Sequence, residues 1–136
     1  MVEVELHKIV IDEKRHDQLI VLKEKNGTRI LPIVIGLHEA SAIKLRISGF
    51  KPPRPLTHDL MHALIENLDA KIDRIVIDKL EESTFHAKVL LKTSSGETKS
   101  IDARPSDSIA LAVRASVPIF VEDEIIKQSE IFNKEK

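Results

Sequence analysis

Three short segments of the chain hold side chains whose types and spacing suit phosphoryl chemistry. The first is Leu31-Pro32-Ile33-Val34-Ile35-Gly36-Leu37-His38-Glu39-Ala40, an apolar run that stops at a glycine and delivers an imidazole and a carboxylate to the next element. The second is Arg54-Pro55-Leu56-Thr57-His58-Asp59, a proline-stiffened corner carrying a guanidinium, a hydroxyl, an imidazole and a carboxylate. The third is Asp102-Ala103-Arg104-Pro105-Ser106-Asp107, where a strand end meets a helix start and leaves backbone N–H groups free to face an anion. Phosphodiester hydrolysis requires a general base beside a carboxylate and a cation that meets the phosphate. His58 is the expected base, with Asp59 and Glu39 as its acidic companions. Arg54, Arg104, Lys51 and Ser106 are the expected phosphate contacts. Asp102 and Asp107, with Glu39 as a further ligand, are expected to hold a divalent cation, Mg2+ or Mn2+.

Each corner also has an architectural account. An acid in a first helical turn meets the helix dipole favourably, which covers Glu39 and Asp59. Thr57 and Ser106 are placed to act as N-caps. Arg104 can pin its corner by pairing with Asp102 or Asp107, and Arg54 can be a solvated or subunit contact. On that account the chain is a non-catalytic binding or assembly domain whose polar corners are caps and oligomer contacts. His58 alone has no capping duty.

The elements that must position these groups follow from periodicity. Val2, Val4 and Leu6 alternate with polar residues, the period of a half-buried strand. Two further apolar runs, residues 18–24 and 29–35, flank Lys25-Asn26-Gly27, where Asn-Gly predicts a tight hairpin turn with positive φ. A three-stranded antiparallel meander results. From Gly36 the period changes: Ala40, Ile43 and Ile47 share a helical face with Lys44 toward solvent, and Gly49 suits the end of that helix. The prolines of residues 51–56 predict an extended connector. A second helix capped by Thr57 follows, its buried stripe read as Leu60, Leu64 and Leu68, widened by Met61 and Ile65. Residues 72–80 and 84–92 form a second hairpin, residues 98–103 a further strand, and a third helix starts at Pro105 or Ser106 with Ile109, Ala112 and Val113 inward. A short strand over 118–121 and an amphipathic helix over about 122–132 complete an α+β domain of mostly antiparallel sheet and about four helices. The halves look alike at a spacing of about 69 residues, which places Glu39 near Asp107 and suggests an internal duplication.

Composition narrows the function classes. At 136 residues, 42% hydrophobic and 32% charged, the chain is expected to form one domain around one core. The absence of cysteine excludes disulfides, thiolate nucleophiles and zinc-cysteine or iron-sulfur sites. Four Phe without Trp or Tyr leave little for base stacking. No apolar run approaches the roughly 20 residues of a membrane helix, and the acid-bearing N-terminus is unlike a secretory leader, so a cytoplasmic location is expected. A net charge of −1 supplies no global field for nucleic acid, yet residues 40–58 hold Lys44, Arg46, Lys51 and Arg54 and no acid after Glu39.

LPIVIGLHEASAI, RPLTHDLMHALI and IDARPSDSIALAVRASVPIFV, in this order and with TFHAKV between them, resemble the most recognisable blocks of the bifunctional nuclease (BFN) family, across residues 4–121. The resemblance implies an α+β fold, self-association with a dimer as first expectation, and hydrolysis of DNA and RNA. It carries no catalytic roles onto individual residues. Val34 and His86 stand where family members usually have aromatic rings.

Overall fold

A computed structural model describes residues 1–134 apart from 13, 15 and 16, and for residues 130–134 the backbone alone. Alternating apolar residues give β1 (Val2–Val10), β2 (Asp17–Glu24) and β3 (Ile30–Gly36), which form the expected meander, and α1 (Leu37–Ile47) follows directly. After the proline connector come α2 (Thr57–Asn67), β4 (Ala70–Glu81), β5 (Thr84–Thr93), β6 (Thr98–Ala103), α3 (Pro105–Ala115), β7 (Ile119–Val121) and α4 (Asp123–Lys134). All seven strands join one sheet in the order β3-β2-β1-β7-β4-β5-β6. Every pairing is antiparallel except β4 with β7.

The order is symmetric about β7. The unit β1-β2-β3-α1 recurs as β4-β5-β6-α3, and the spacing from Val2 to Ala70 and from Leu37 to Pro105 is 68 residues in both cases. The repeat inferred from spacing is therefore present in the topology. β7, three residues long, lies between the first strands of the two units and closes them into one sheet. Ile20, Val21 and Leu22 are consecutive and all buried, as are Ile75, Val76 and Ile77, so the sheet is covered on both faces at its middle strands. α1 and α3 pack against each other and onto the sheet, α2 lies against α3 and β4, and α4 contacts β3 and β4.

Four local expectations are corrected. The loop after β2 is wider than a two-residue turn: Glu24 N–H donates to the Arg29 carbonyl at 3.0 Å, and Gly27 does not have a positive φ. Gly49 does, at φ +80°, just past α1. Leu56, not Thr57, is the N-cap of α2, and its N–H donates to the Asp59 carboxylate at 3.0 Å. Arg104, not Ser106, is the N-cap of α3, with Pro105 at the first helical position. In α1 the apolar face is only Ala40 and Ile43, and Ile47 is exposed.

The largest departure is in α2. Leu60, Leu64 and Leu68 are 54%, 55% and 80% exposed, while Met61 and Ile65 pack on the core. The sequence shows one wide apolar arc, and α3 and β4 cover only one side of it. Within the core, Ile77 is fully buried against β7 and β5. Ile77→Ala should lower the free energy of unfolding by about 2–5 kcal/mol, read as a lower urea midpoint at unchanged slope.

Candidate functional site

α3 packs on both α1 and α2, and the first turns of all three helices carry an acid: Glu39, Asp59 and Asp107. Asp107 is the hub. Its Oδ1 accepts a hydrogen bond from His58 Nε2 at 3.0 Å, and its Oδ2 accepts one from Arg104 Nε at 3.1 Å. Arg104 Nη2 lies 3.7 Å from Glu39 Oε1, so Glu39, Arg104, Asp107 and His58 form one continuous chain of charged and polar groups. With Nε2–H committed to Asp107, a neutral His58 keeps its Nδ1 lone pair for a proton.

The electrostatics follow from this chain. Burial works against ionisation of Asp107, but the hydrogen bonds from His58 and Arg104 and the adjoining guanidinium charge hold its carboxyl below the usual range. The hydrogen bond to Asp107 and its charge raise Arg104 above the ordinary guanidinium value, with Glu39 adding to the effect. The imidazole side chain is 16% exposed and that of Arg104 is 67% exposed. Arg104 is therefore the member of the chain most open to a ligand.

Gly36 leaves room for Glu39, because a Cβ there would lie 2.2 Å from Glu39 Oε2 and the carboxylate would have to swing aside. Asp59 is not the companion of His58, although it follows it in sequence. It caps α2 and lies 2.8 Å from Arg114 Nε, an ion pair whose N–H is not aimed along the contact. Residues that neighbour in a helix point about 100° apart, so Asp59 and His58 serve different partners. Arg114, from the last turn of α3, was not singled out by sequence, and no local pattern marks it.

The other expected residues fall outside the chain of contacts. Asp102 is exposed on β6 and pairs with Lys88 Nζ at 3.2 Å. Lys51 and Arg54 are exposed on the connector, and neither pairs with an acid among the described residues. Both oxygens of Asp107 are committed, and among the described residues no three His, Asp or Glu side chains are grouped as a metal ion would require. These donors do not fit a resident divalent ion in this arrangement. Ser106 is buried and lines a cavity of 790 Å³ that Arg104 borders. A crevice of 40 Å³ on the other side exposes His58 beside Phe50, Arg46 and Leu56.

A seven-stranded α+β domain with an imidazole–carboxylate–guanidinium relay at converging helix starts describes the class. The chain belongs to the bifunctional nuclease domain family, whose pattern it matches over residues 20–134. It is 41% identical over 129 residues to a Mycobacterium tuberculosis protein described as uncharacterized, covering 95% of this chain and 76% of that one. It is 29% identical to bifunctional nuclease 2 of Oryza sativa subsp. japonica, over 82% of this chain and 35% of the plant protein. With bifunctional nuclease 1 of Arabidopsis thaliana the identity is 28%, over 75% of this chain and 32% of that protein. No described helix is long and apolar enough to cross a membrane.

Because the Asp107 carboxyl is held below its unfolded-state value of about 3.9, its contribution is present above that pH and lost as pH falls through the lower folded value. Urea unfolding of the wild type and Asp107→Asn should therefore differ most near pH 6–7 and converge below about pH 4. A difference that persists undiminished at pH 3 would show that the carboxylate charge is not what stabilises the corner.

Proposed function

We propose that the domain hydrolyses phosphodiester bonds of nucleic acid, with His58 as general base, Asp107 orienting it, and Arg104 meeting the phosphate. The observation that supports this reading most is the pair of hydrogen bonds through which one carboxylate joins His58 to an exposed guanidinium. His58 Nδ1 takes a proton from the attacking water as its oxygen bonds to phosphorus and the P–O bond to the leaving sugar oxygen breaks; Asp107 stabilises the imidazolium, which then gives the proton to that leaving oxygen. Arg104 faces the charge that grows on the phosphate oxygens. Glu39, 3.7 Å from Nη2, adds a second acid beside Arg104. The plant relatives named bifunctional nuclease favour this chemistry for the family, and this chain spans about a third of their length.

Lys44, Arg46, Lys51 and Arg54 extend the reading beyond the reacting groups. All four are exposed, and none pairs with an acid among the described residues. Arg46 shares the small crevice with His58. A strand lying along them would release counter-ions, giving salt-sensitive binding despite a net charge of −1.

A second reading, assembly with another copy of the chain, is favoured by the uncovered side of α2. Leu45, Ile47, Phe50, Leu56, Leu60, Leu64 and Leu68 are all exposed, and the crevice joins Leu45 and Phe50 to Leu56. Leu60, Leu64 and Leu68 lie at helical spacing on one face of α2, and an exposed apolar stripe of this kind marks an association surface. A two-fold axis across α2 would set two copies antiparallel. Lys51 and Arg54 at one end would then face Glu66 and Asp69 at the other, which matches charge as well as shape.

Two measurements test these readings. Purified protein should degrade single-stranded DNA, duplex DNA or RNA, and His58→Ala should lower the rate by roughly 10²–10⁴-fold while keeping the wild-type fold. Parallel reactions with Mg2+, Mn2+ and EDTA read whether cleavage depends on an added cation. Equal degradation by wild type and the folded His58→Ala variant would overturn the assignment of the base. For assembly, light scattering should give a dimer for the wild type and a monomer for Leu64→Glu with Leu68→Glu. A monomeric wild type at high micromolar concentration would end that reading.

A further inference from the structure

We infer that the 790 Å³ cavity bordered by Arg104 is a pocket for one unpaired nucleotide, whose phosphate lies on Arg104 while its base enters the cavity, so that the site takes single strands. The inference rests on the hydrolase reading and deepens it by naming the form of the substrate.

The cavity opens between the end of β3, the tip of the β4–β5 hairpin and α4, and its volume lies within the roughly 300–1,000 Å³ of small-molecule sites. Two features of its wall call for a polar ligand. Ser106 and Ser129 line it, are only 6% and 4% exposed, and form no side-chain hydrogen bond with the described residues. By contrast, the buried Ser108 directs its Oγ to the Arg104 carbonyl at 3.0 Å and so is satisfied within α3. Neither Oγ is among the sealed, partnerless buried atoms, so both hydroxyls open to the cavity, one from α3 and one from α4, where a ligand's polar edge can meet them.

The rest of the wall selects the class of ligand. Arg104 at the mouth is exposed and joined through the Asp107 carboxylate to His58, so an anion bound there is linked to the imidazole through that one carboxylate. Phe85 and Leu80 from the hairpin offer a half-buried apolar surface for the flat face of a base. Asp17 and Gln128 add an acceptor and an amide for a base edge. An alkyl carboxylate would satisfy Arg104 and the apolar wall but leave both hydroxyls, the amide and Asp17 unmatched. A duplex keeps its bases stacked and paired, and reaching the cavity would require flipping one out, whereas an unpaired strand presents its bases directly.

The test is equilibrium binding to the wild-type protein by fluorescence anisotropy, with a nuclease-resistant ten-nucleotide phosphorothioate strand and its duplex. Deoxyadenosine monophosphate and octanoate serve as competitors. The strand should bind at least tenfold more tightly than the duplex, and the mononucleotide should displace it while octanoate should not. Ser129→Leu, which fills the interior, and Thr84→Trp, which narrows the exposed rim, should each weaken strand binding at least tenfold. Thr84→Trp decides the matter if Ser129→Leu does not fold. Equal binding of strand and duplex, displacement by octanoate alone, or wild-type binding by folded Thr84→Trp would overturn the inference. Its failure is separable from that of the hydrolase reading. Selective strand binding without cleavage would sink the hydrolase and leave the pocket, whereas cleavage of strand and duplex alike by Thr84→Trp would do the reverse.

Discussion

Asp107 stands in the first turn of α3 with one oxygen on His58 and the other on Arg104, and the whole site depends on that carboxylate remaining ionised. α2 reaches it through His58 and the β6–α3 corner through Arg104, and α1 joins the chain one step further on, through Glu39 beside that guanidinium. Burial alone would favour a neutral carboxyl there. The two hydrogen bonds and the guanidinium charge outweigh that cost, so assembly of the site and ionisation of Asp107 reinforce each other.

The repeated topology explains why acids are available at this point. Each unit ends a meander with a strand that runs into a helix, and each helix carries an acid in its first turn, Glu39 in one and Asp107 in the other. Because α1 and α3 pack together, the two acids come to one guanidinium, Asp107 at its Nε and Glu39 at its Nη2. α2 breaks the equivalence. It lies against α3, so its imidazole reaches Asp107 rather than Glu39, and the second unit acquires the pair on which the proposed chemistry rests.

The same placement leaves α2 with apolar surface on its far side. A helix wedged against α3 and β4 buries Met61 and Ile65 and turns its leucine stripe outward. The proline connector that leads into α2 carries Lys51 and Arg54, neither paired with an acid among the described residues, and its Pro52 lines the crevice at His58. Charge, apolar surface and the candidate base are thus concentrated on one side of a chain whose net charge is nearly zero.

The strands, the two hairpins, the four helices and the α+β class were legible in the sequence because the periods of 2 and 3.6 are local properties of side-chain alternation. The repeat was legible as well, since spacing survives where identity does not. Which residues of an apolar arc face inward was not: Leu60, Leu64 and Leu68 differ from Met61 and Ile65 only in what lies opposite them. The partner of His58 was equally hidden, because Asp59 is adjacent and Asp107 is 49 residues away, and only the packing of α2 on α3 brings the distant carboxylate into reach. By itself the sequence determined the elements and the inventory of reactive groups. Tertiary structure alone decided the pairing of those groups, the separation of Asp102 from the relay, and the cavity beside Arg104, because hydrogen bonds and enclosed volume depend on distances between segments that no local pattern encodes.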